Sequence, residues 1–134
     1  MEHGEPVGFE DMPRLDFCVV GCVAVTRRGG RTGKGAGFAD LEQGFFRELG
    51  LVEDSTPIAT TVHSSQVVDD SDVVMECHDS ALALIATELE LIETLTPFRQ
   101  PAGVAWDRVR PDQFAEIPFL ADLRASLERR KRAP

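Results

Sequence analysis

Apolar residues in the first half of the chain follow first an extended and then a helical pattern. Residues 15–25 are rich in valine and bounded by charge, which predicts a buried strand of a parallel sheet. Residues 38–49 carry apolar side chains at intervals of three and four, and Gly50 follows them as a helix C-cap candidate. Residues 57–62 are rich in β-branched side chains and predict a second strand. The order strand, loop, helix, strand predicts an α/β fold with a parallel sheet.

The second half of the chain carries shorter patterns. Residues 82–86 and 90–93 predict two strands or one bent strand, and residues 103–109 predict another short extended piece. The tail at residues 111–131 has a helical apolar pattern. Because proline removes a backbone donor, we expect that helix to break or kink at Pro118.

These patterns suggest a simple organisation. Residues 1–14 are polar, contain two prolines and are expected to form an extended lead-in. Residues 15–134 are expected to form a single α/β domain with the helical tail at its C-terminus.

Composition and charge argue against several classes of protein. The 134 residues carry a formal net charge of −9, whereas a general nucleic-acid binder needs a concentrated positive face. The longest apolar run, residues 17–25, is too short to cross a bilayer, and the first residues lack the features of a secretory signal. Three cysteines, an odd number, do not indicate a disulfide framework. We therefore expect a cytoplasmic protein without nucleic-acid or membrane partners.

The charges are sorted along the chain. Residues 53–93 contain ten acidic residues and no Lys or Arg, whereas residues 27–34 contain four basic residues. Glycines accompany this basic cluster at Gly29, Gly30, Gly33, Gly35 and Gly37. Such a segment can turn several backbone N–H groups towards one anion, and the following helix adds the positive end of its dipole. We expect residues 29–40 to hold a phosphate-bearing ligand; the alternative is a flexible surface turn.

Two familiar phosphate-binding patterns do not fit this segment. A Walker A loop needs Ser or Thr after Gly-Lys, but Gly35 follows Lys34, and Arg28 stands in place of the leading glycine. The dinucleotide fingerprint also fails, because Phe38 stands where its third glycine belongs.

Residues 30–40, GRTGKGAGFAD, resemble the signature loop of the 5-formyltetrahydrofolate cyclo-ligase family. Residues 16–25 are similar to the strand that precedes this loop in the family. Later pieces follow in the family's order at Gln66, His78, Asp79 and residues 86–88. The resemblance extends over about residues 15–92 and implies a divergent member that lacks the family's N-terminal portion.

The resemblance also implies a fold and an activity. The fold is a three-layer αβα arrangement with a mainly parallel sheet, of the sugar-phosphate isomerase and CoA-transferase type. The activity is ATP- and magnesium-dependent conversion of 5-formyltetrahydrofolate to 5,10-methenyltetrahydrofolate through phosphoryl activation of the formyl oxygen. ATP and a reduced folate are the expected partners. The alternative is a non-catalytic phosphate-binding, nucleotide-binding or regulatory module derived from the family.

Site residues are expected on the same resemblance. Arg31 and Lys34 are expected to take part in catalysis. Phe38 and His78 are expected to contact the substrate. Asp40 and Asp79 are expected to bind magnesium. The expected phosphate contacts are Gly30, Arg31, Gly33, Lys34, Gly35, Ala36 and Gly37. Asp79 could instead stabilise a turn. Since a chain without one flank of its parental fold should leave apolar surface uncovered, we expect a homodimer.

Overall fold

The computed structural model describes residues 3–5, 7–8 and 11–132, with side chains described as far as residue 129. The expected lead-in at residues 1–14 therefore lies partly outside the described residues. The chain divides into two compact units, Met1–Val104 and Ala105–Pro134. Among the described residues, no helix is long and apolar enough to cross a membrane.

The first unit contains helix α1 (Phe38–Glu48) and two mixed β-sheets. The strands are β1 (Cys18–Val19), β2 (Ala24–Thr26), β3 (Arg31–Thr32), β4 (Ile58–Thr61), β5 (Val67–Val68), β6 (Leu84–Ala86) and β7 (Leu91–Glu93). One sheet has the order β1-β4-β6-β7, in which only the β6–β7 pair is antiparallel. The other has the order β3-β2-β5, with β2 antiparallel to β3 and parallel to β5. The predicted α/β class is confirmed, and both sheets are mixed in direction.

Residues 15–25 form two short strands in different sheets, so the prediction of one strand is wrong. The Val20 N–H still donates to the Ala59 carbonyl (2.9 Å), beside β4. The Val23 N–H already donates to the Thr32 carbonyl of β3 (2.8 Å). A valine-rich run predicts burial but does not indicate which sheet buries each residue.

Helix α1 ends as its sequence predicts. The Gly50 N–H donates to the Arg47 carbonyl (3.0 Å), and the Leu51 N–H donates to the Phe46 carbonyl (2.7 Å). This pair of hydrogen bonds is a Schellman motif. Gly50 has φ +71°, a left-handed conformation that favours glycine. The predicted helix and its terminating glycine are confirmed.

One face of the four-stranded sheet, here called the inner face, belongs to the core. Its buried apolar residues are Cys18, Ile58, Ile85 and Ile92. Thr60 lies on the same face, and its hydroxyl donates to the Val20 carbonyl (2.7 Å), so this buried polar group is satisfied. Phe46 of α1 and Val67 of β5 pack against the core cluster to which these four apolar residues belong.

The opposite face of this sheet, here called the outer face, is largely apolar and open. The register and the alternation of side chains place on it Phe17, Val19, Ala59, Thr61, Leu84, Ala86, Leu91 and Glu93. Val19 and Leu91, on the two edge strands, are each 65% exposed. Parallel strands usually have both faces covered. The described residues cover one face, and the expected three-layer arrangement is not confirmed.

The second unit contains α2 (Pro111–Glu116) and α3 (Phe119–Arg132). Ile117 leaves the helical conformation between them, with φ −122° and ψ 82°, so the expected break at Pro118 is present. Residues 103–109 contain turns and no strand. The Arg108 N–H, for example, donates to the Ala105 carbonyl (2.8 Å). The prediction of an extended piece there is wrong. The few apolar residues of this segment do not recur at a spacing that distinguishes a strand from a turn.

Gly29 lies at a point where any other residue would clash. It has φ +88°, and a Cβ there would lie 2.4 Å from the carbonyl oxygen of Leu82. We expect Gly29→Ala to lower the free energy of unfolding by about 2 kcal/mol or more, since left-handed strain adds to the clash. Gly33→Ala, whose Cβ would meet nothing within 4 Å, should change it by less than about 0.5 kcal/mol. Chemical denaturation measures the free energy of unfolding of both variants. Equal losses of stability would contradict the clash assigned to a side chain at Gly29.

Candidate functional site

The first two glycines of the predicted segment form a tight turn between β2 and β3. The Gly29 N–H donates to the Thr26 carbonyl, and the Thr26 N–H donates to the Gly30 carbonyl, both at 2.9 Å. The Gly30 N–H donates to Thr26 Oγ1 (3.2 Å). The structure therefore places Gly30, an expected phosphate contact, in the hairpin turn that precedes the open loop, and its contact with phosphate stays a prediction.

The next glycines form an open loop, residues 33–37, here called the glycine loop. Gly35 and Gly37 have φ +88° and +70°, and Gly37 is the N-cap of α1. The amides of Gly33, Lys34, Gly35 and Gly37 donate no hydrogen bond to another described residue. Together with the N-terminus of α1, these amides form a site suited to an anion.

A buried ion pair joins the two sides of the glycine loop. Arg31 Nη2 donates to Asp40 Oδ1 at 2.7 Å, and the Arg31 side chain is only 2% exposed. The same carboxylate oxygen accepts the Ser80 N–H (2.9 Å), and Arg31 Nε donates to the Ser80 carbonyl (3.1 Å). Arg31, Asp40 and Ser80 thus form a closed set of charge-assisted hydrogen bonds.

A cleft of about 580 Å³ lies over the glycine loop. Residues 31–40 form most of its wall, and residues 21–23, Glu42, Val74 and Asp79 complete it. Lys34 is exposed in this wall and makes no ion pair with another described residue. The cleft therefore combines unengaged N–H donors, one unpaired cation and apolar side chains, as ligand sites commonly do.

Residues 4–88 match the 5-formyltetrahydrofolate cyclo-ligase family. The chain belongs to this family. It is 40% identical over 128 residues to the methenyltetrahydrofolate synthase domain-containing protein of Mus musculus, covering 96% of this chain and 34% of the relative. The proteins with the same name from Bos taurus and Homo sapiens are each 38% identical, over 91% and 92% of this chain and 32% of each relative. The chain thus spans about a third of the length of these curated relatives.

The residues expected from the family resemblance are only partly gathered in the cleft. Those that line it are Arg31, Gly33, Lys34, Gly35, Ala36, Gly37, Phe38, Asp40 and Asp79. His78 is not among the lining residues. Its two ring nitrogens lie 3.6 Å from carboxylate oxygens of Glu76 and Asp79. Its expected contact with substrate stays a prediction.

Asp79 takes part in a turn as well as lining the cleft. Its Oδ2 accepts the Glu76 N–H (2.8 Å), and its own N–H donates to the Glu76 carbonyl (3.0 Å). Such side-chain hydrogen bonds stabilise turns. The turn-forming alternative therefore has direct support, and the metal-binding role of Asp79 stays a prediction.

The carboxylates of the cleft suit a magnesium ion that arrives with phosphate better than a dedicated metal site. Within the described part of the chain, no three His, Cys, Asp or Glu side chains come together as a ligand set. The carboxylates of the cleft wall are Asp40, Glu42 and Asp79, and Asp40 and Asp79 are the two expected as ligands. Magnesium commonly takes one or two carboxylates and completes its shell with phosphate and water. The donor set fits that mode of binding.

Some parts of the site gave no signal in the sequence. Residues 21–23 form one wall of the cleft, although they lie inside an apolar run. Ser80 contributes through its backbone, so its residue type carries little information. The Arg31 N–H points at Met75 Sδ (3.4 Å), 44 residues away. Only the exposed Gly21 within the valine-rich run could have indicated a break in the strand.

A second polar cluster lies outside the cleft, where β4 and β6 end. The Ser64 N–H donates to Glu88 Oε2 (2.9 Å), and the Ser64 hydroxyl donates to Glu88 Oε1. His63 Nε2 lies 3.5 Å from the same carboxylate. The Ser64 hydroxyl, more than any other group, lowers the pKa of Glu88 from its ordinary value.

Ser64→Ala should raise the pKa of Glu88 towards its ordinary value, because the variant loses the hydroxyl donor. Since folding depresses this pKa, the Glu88 contribution to stability is present above its unfolded pKa of about 4.3 and is lost as the pH falls through the folded pKa. Carboxyl NMR titration measures the shift. Ser65→Ala is the control, because the Ser65 hydroxyl contacts His63 Nδ1. An unchanged Glu88 pKa in Ser64→Ala would contradict this account.

Proposed function

We propose that the chain binds ATP in the cleft and acts on 5-formyltetrahydrofolate to give 5,10-methenyltetrahydrofolate. The formyl oxygen attacks the γ-phosphorus of ATP, and ADP leaves. N10 of the folate then closes on the formyl carbon and loses its proton, and the former formyl oxygen departs as part of inorganic phosphate. Such chemistry depends mainly on positioning and charge neutralisation. The observation that carries the proposal is the glycine loop of a member of the cyclo-ligase family, in which the amides of Gly33, Lys34, Gly35 and Gly37 donate to no other described residue.

Each wall of the cleft has a proposed task. The amides of Gly33, Lys34, Gly35 and Gly37 and the Lys34 ammonium hold phosphate oxygens, because these groups have no described partner and belong to residues that line the cleft. Phe38, Val23 and Val74 form apolar wall for the folate ring system. Asp40 and Asp79 are the proposed ligands of magnesium, which supplies charge neutralisation on the phosphates when bound.

A second function, binding without turnover, has one observation in its favour. Arg31, an expected catalytic cation, has a side chain that is only 2% exposed, and it donates to Asp40 and to the Ser80 carbonyl. Lys34 then remains the unpaired cation in the described cleft wall. A site with one free cation can hold a nucleotide yet lack charge stabilisation for phosphoryl transfer. A non-catalytic nucleotide-binding or regulatory module is therefore the alternative.

Lys34→Ala tests the phosphate contact. We expect it to weaken ATP binding by about 1–3 kcal/mol, because a charge-assisted hydrogen bond is lost. Arg28→Ala is the control, since Arg28 is also exposed and basic but does not line the cleft. Its Nη1 lies 3.8 Å from Asp70 Oδ2. Isothermal titration calorimetry measures both. Equal ATP affinity in the wild type and Lys34→Ala would contradict the phosphate site.

A turnover assay separates the two functions. The wild-type chain is incubated with ATP, magnesium and 5-formyltetrahydrofolate, and the absorbance of the methenyl product is followed. Product formation that Lys34→Ala abolishes would support the enzyme. ATP binding with no product would support the binding module.

We also propose that the chain forms a homodimer and that it is a cytoplasmic protein of the three-layer type expected from the family. Among the eight residues of the outer face, Glu93 is the one with a charge. Two copies can therefore meet on this face without burying many charges, although the chain carries −9. Apolar surface that is open in one copy would be covered by the other.

Val19→Lys tests this self-association, because it places a charge on an exposed position of the outer face, within the proposed contact. We expect light scattering to show dimers of the wild type and monomers of the variant at the same concentration. Val74→Lys is the control, since Val74 is 83% exposed outside the outer face. A wild type that stays monomeric over a wide concentration range would rule the dimer out.

A further inference from the structure

We propose that Gln66 is a positioning residue that fixes residues 21–23, one wall of the cleft, and thereby raises the affinity for the folate. Gln66 itself is not among the residues that line the cleft. Its Nε2 donates to the backbone carbonyls of two residues that do, Val23 (2.9 Å) and Cys22 (3.3 Å). The part of this inference that concerns the folate rests on the proposed function, whereas the part that concerns the wall does not.

The chain passes twice from the four-stranded sheet to the three-stranded sheet, and Gln66 joins the two connections. Residues 20–23 connect β1 to β2, and residues 62–66 connect β4 to β5. The strands are paired in parallel at both ends of these connections, β1 with β4 and β2 with β5. Five residues separate the paired positions in the first connection and seven in the second, so the two segments cannot stay in register. No backbone hydrogen bond joins residues 20–23 to residues 62–66.

The Gln66 side chain takes the place of the missing backbone donors. Carbonyl groups that a ladder leaves without a donor are satisfied by side chains or by water. The amide nitrogen of Gln66 donates twice to the wall, and its Oε1 accepts the His63 N–H (2.8 Å) as a cap of the 3₁₀ turn at Ser64–Gln66. Because the amide is held on its oxygen side as well, its donors keep a fixed direction.

Packing holds this wall only in part. Cys22 packs against the core cluster, but a Cβ on Gly21 would meet nothing within 4 Å, and Val23 is 48% exposed. The Val23 N–H donates to the Thr32 carbonyl (2.8 Å), and Gln66 donates to the Cys22 carbonyl of the same peptide group. Since a peptide group is planar, these two contacts fix its orientation. They therefore fix the backbone from which the Val23 side chain extends.

The wall and the glycine loop have different tasks in the proposed function. Val23 is proposed to contact the folate ring system, whereas the amides of residues 33–37 are proposed to hold phosphates. Gln66 makes no hydrogen bond to the glycine loop. A wall that is ordered in advance raises affinity for the ligand that touches it. Loss of the Gln66 contacts should therefore weaken folate binding and leave ATP binding nearly unchanged.

The first experiment needs no ligand. Gln66→Glu keeps an acceptor for the His63 N–H but loses the two donors, so it separates the wall contact from the cap. By NMR, we expect the Val23 amide to exchange about tenfold faster in this variant, and the carbonyl carbon resonances of Cys22 and Val23 to shift. Unchanged exchange of the Val23 amide would overturn the proposal.

Gln113→Glu is the matched control for this experiment. The Gln113 Oε1 accepts the Arg110 N–H at the start of α2, as Gln66 Oε1 accepts the His63 N–H, and Gln113 lies in the second unit. The control makes the same change of an amide to a carboxylate away from the cleft wall. We expect the Val23 amide to exchange at the wild-type rate in Gln113→Glu.

The second experiment measures the affinities for 5-formyltetrahydrofolate and for ATP separately. We expect Gln66→Glu to weaken folate binding about tenfold and to change ATP binding by less than about twofold. A residue that only stabilises the fold would lower both affinities together, and equal losses would overturn the proposal. If the wild type binds no folate, the proposed function fails, while the exchange of the Val23 amide still decides whether Gln66 positions the wall.

Gln66→Met shows whether the added charge causes the effect. Methionine has a similar length and no amide, so the variant loses the contacts with Val23 and Cys22 without adding a carboxylate. It also loses the cap at His63, so we expect a folate loss at least as large as that of Gln66→Glu. Wild-type folate affinity in Gln66→Met would assign the effect to charge and would overturn the proposal. Gln66→Met also provides the comparison with the wild type if Gln66→Glu does not fold.

Discussion

The buried ion pair between Arg31 and Asp40 is the interaction on which the candidate site depends. Burying a guanidinium that is 2% exposed is costly, and the hydrogen bonds to Asp40 and to the Ser80 carbonyl offset part of that cost. The pair brings the end of the hairpin to the start of α1 and leaves the glycine loop open between them. The amides of Gly33, Lys34, Gly35 and Gly37, which line the cleft, are left without a partner among the described residues.

The sequence predicted those helices and strands whose residues follow a clear helical or strand-like pattern. Helix α1 was predicted because its apolar residues recur every three or four positions and a glycine follows in a left-handed conformation. The strand at Ile58–Thr61 was predicted from its β-branched residues. The split of residues 15–25 between two sheets was not predicted. Hydrophobicity indicates that a residue is buried, but it does not indicate which strand lies beside it.

Prediction of the candidate site from the sequence is limited in the same way, because neighbours in space are not indicated by the sequence. Glycines beside basic residues predicted the loop, and those features are local in sequence. The partners of Arg31 are not local: Asp40 follows nine residues later, and Ser80 acts through backbone atoms 49 residues away. A sequence shows a cation near glycines, which suggests an anion contact. Only the three-dimensional arrangement shows that Arg31 is already paired and that Lys34 is the exposed cation of the cleft wall.

Membership of the 5-formyltetrahydrofolate cyclo-ligase family gives this geometry a chemical context. Its curated relatives are about three times as long, so the activity of a whole relative is not simply that of this chain. The outer face is open in the same structure that holds the loop in place. An open glycine loop beside a cleft and an incompletely covered sheet therefore occur in the same unit.

An NMR titration with ATP and magnesium tests the central claim most directly. The backbone amides of the isotope-labelled wild-type chain are followed as ATP is added. The account predicts saturable shifts concentrated at residues 33–37 and in the first turn of α1, because those residues line the cleft. No saturable shift at these residues, or shifts confined to a distant surface such as the outer face, would contradict it.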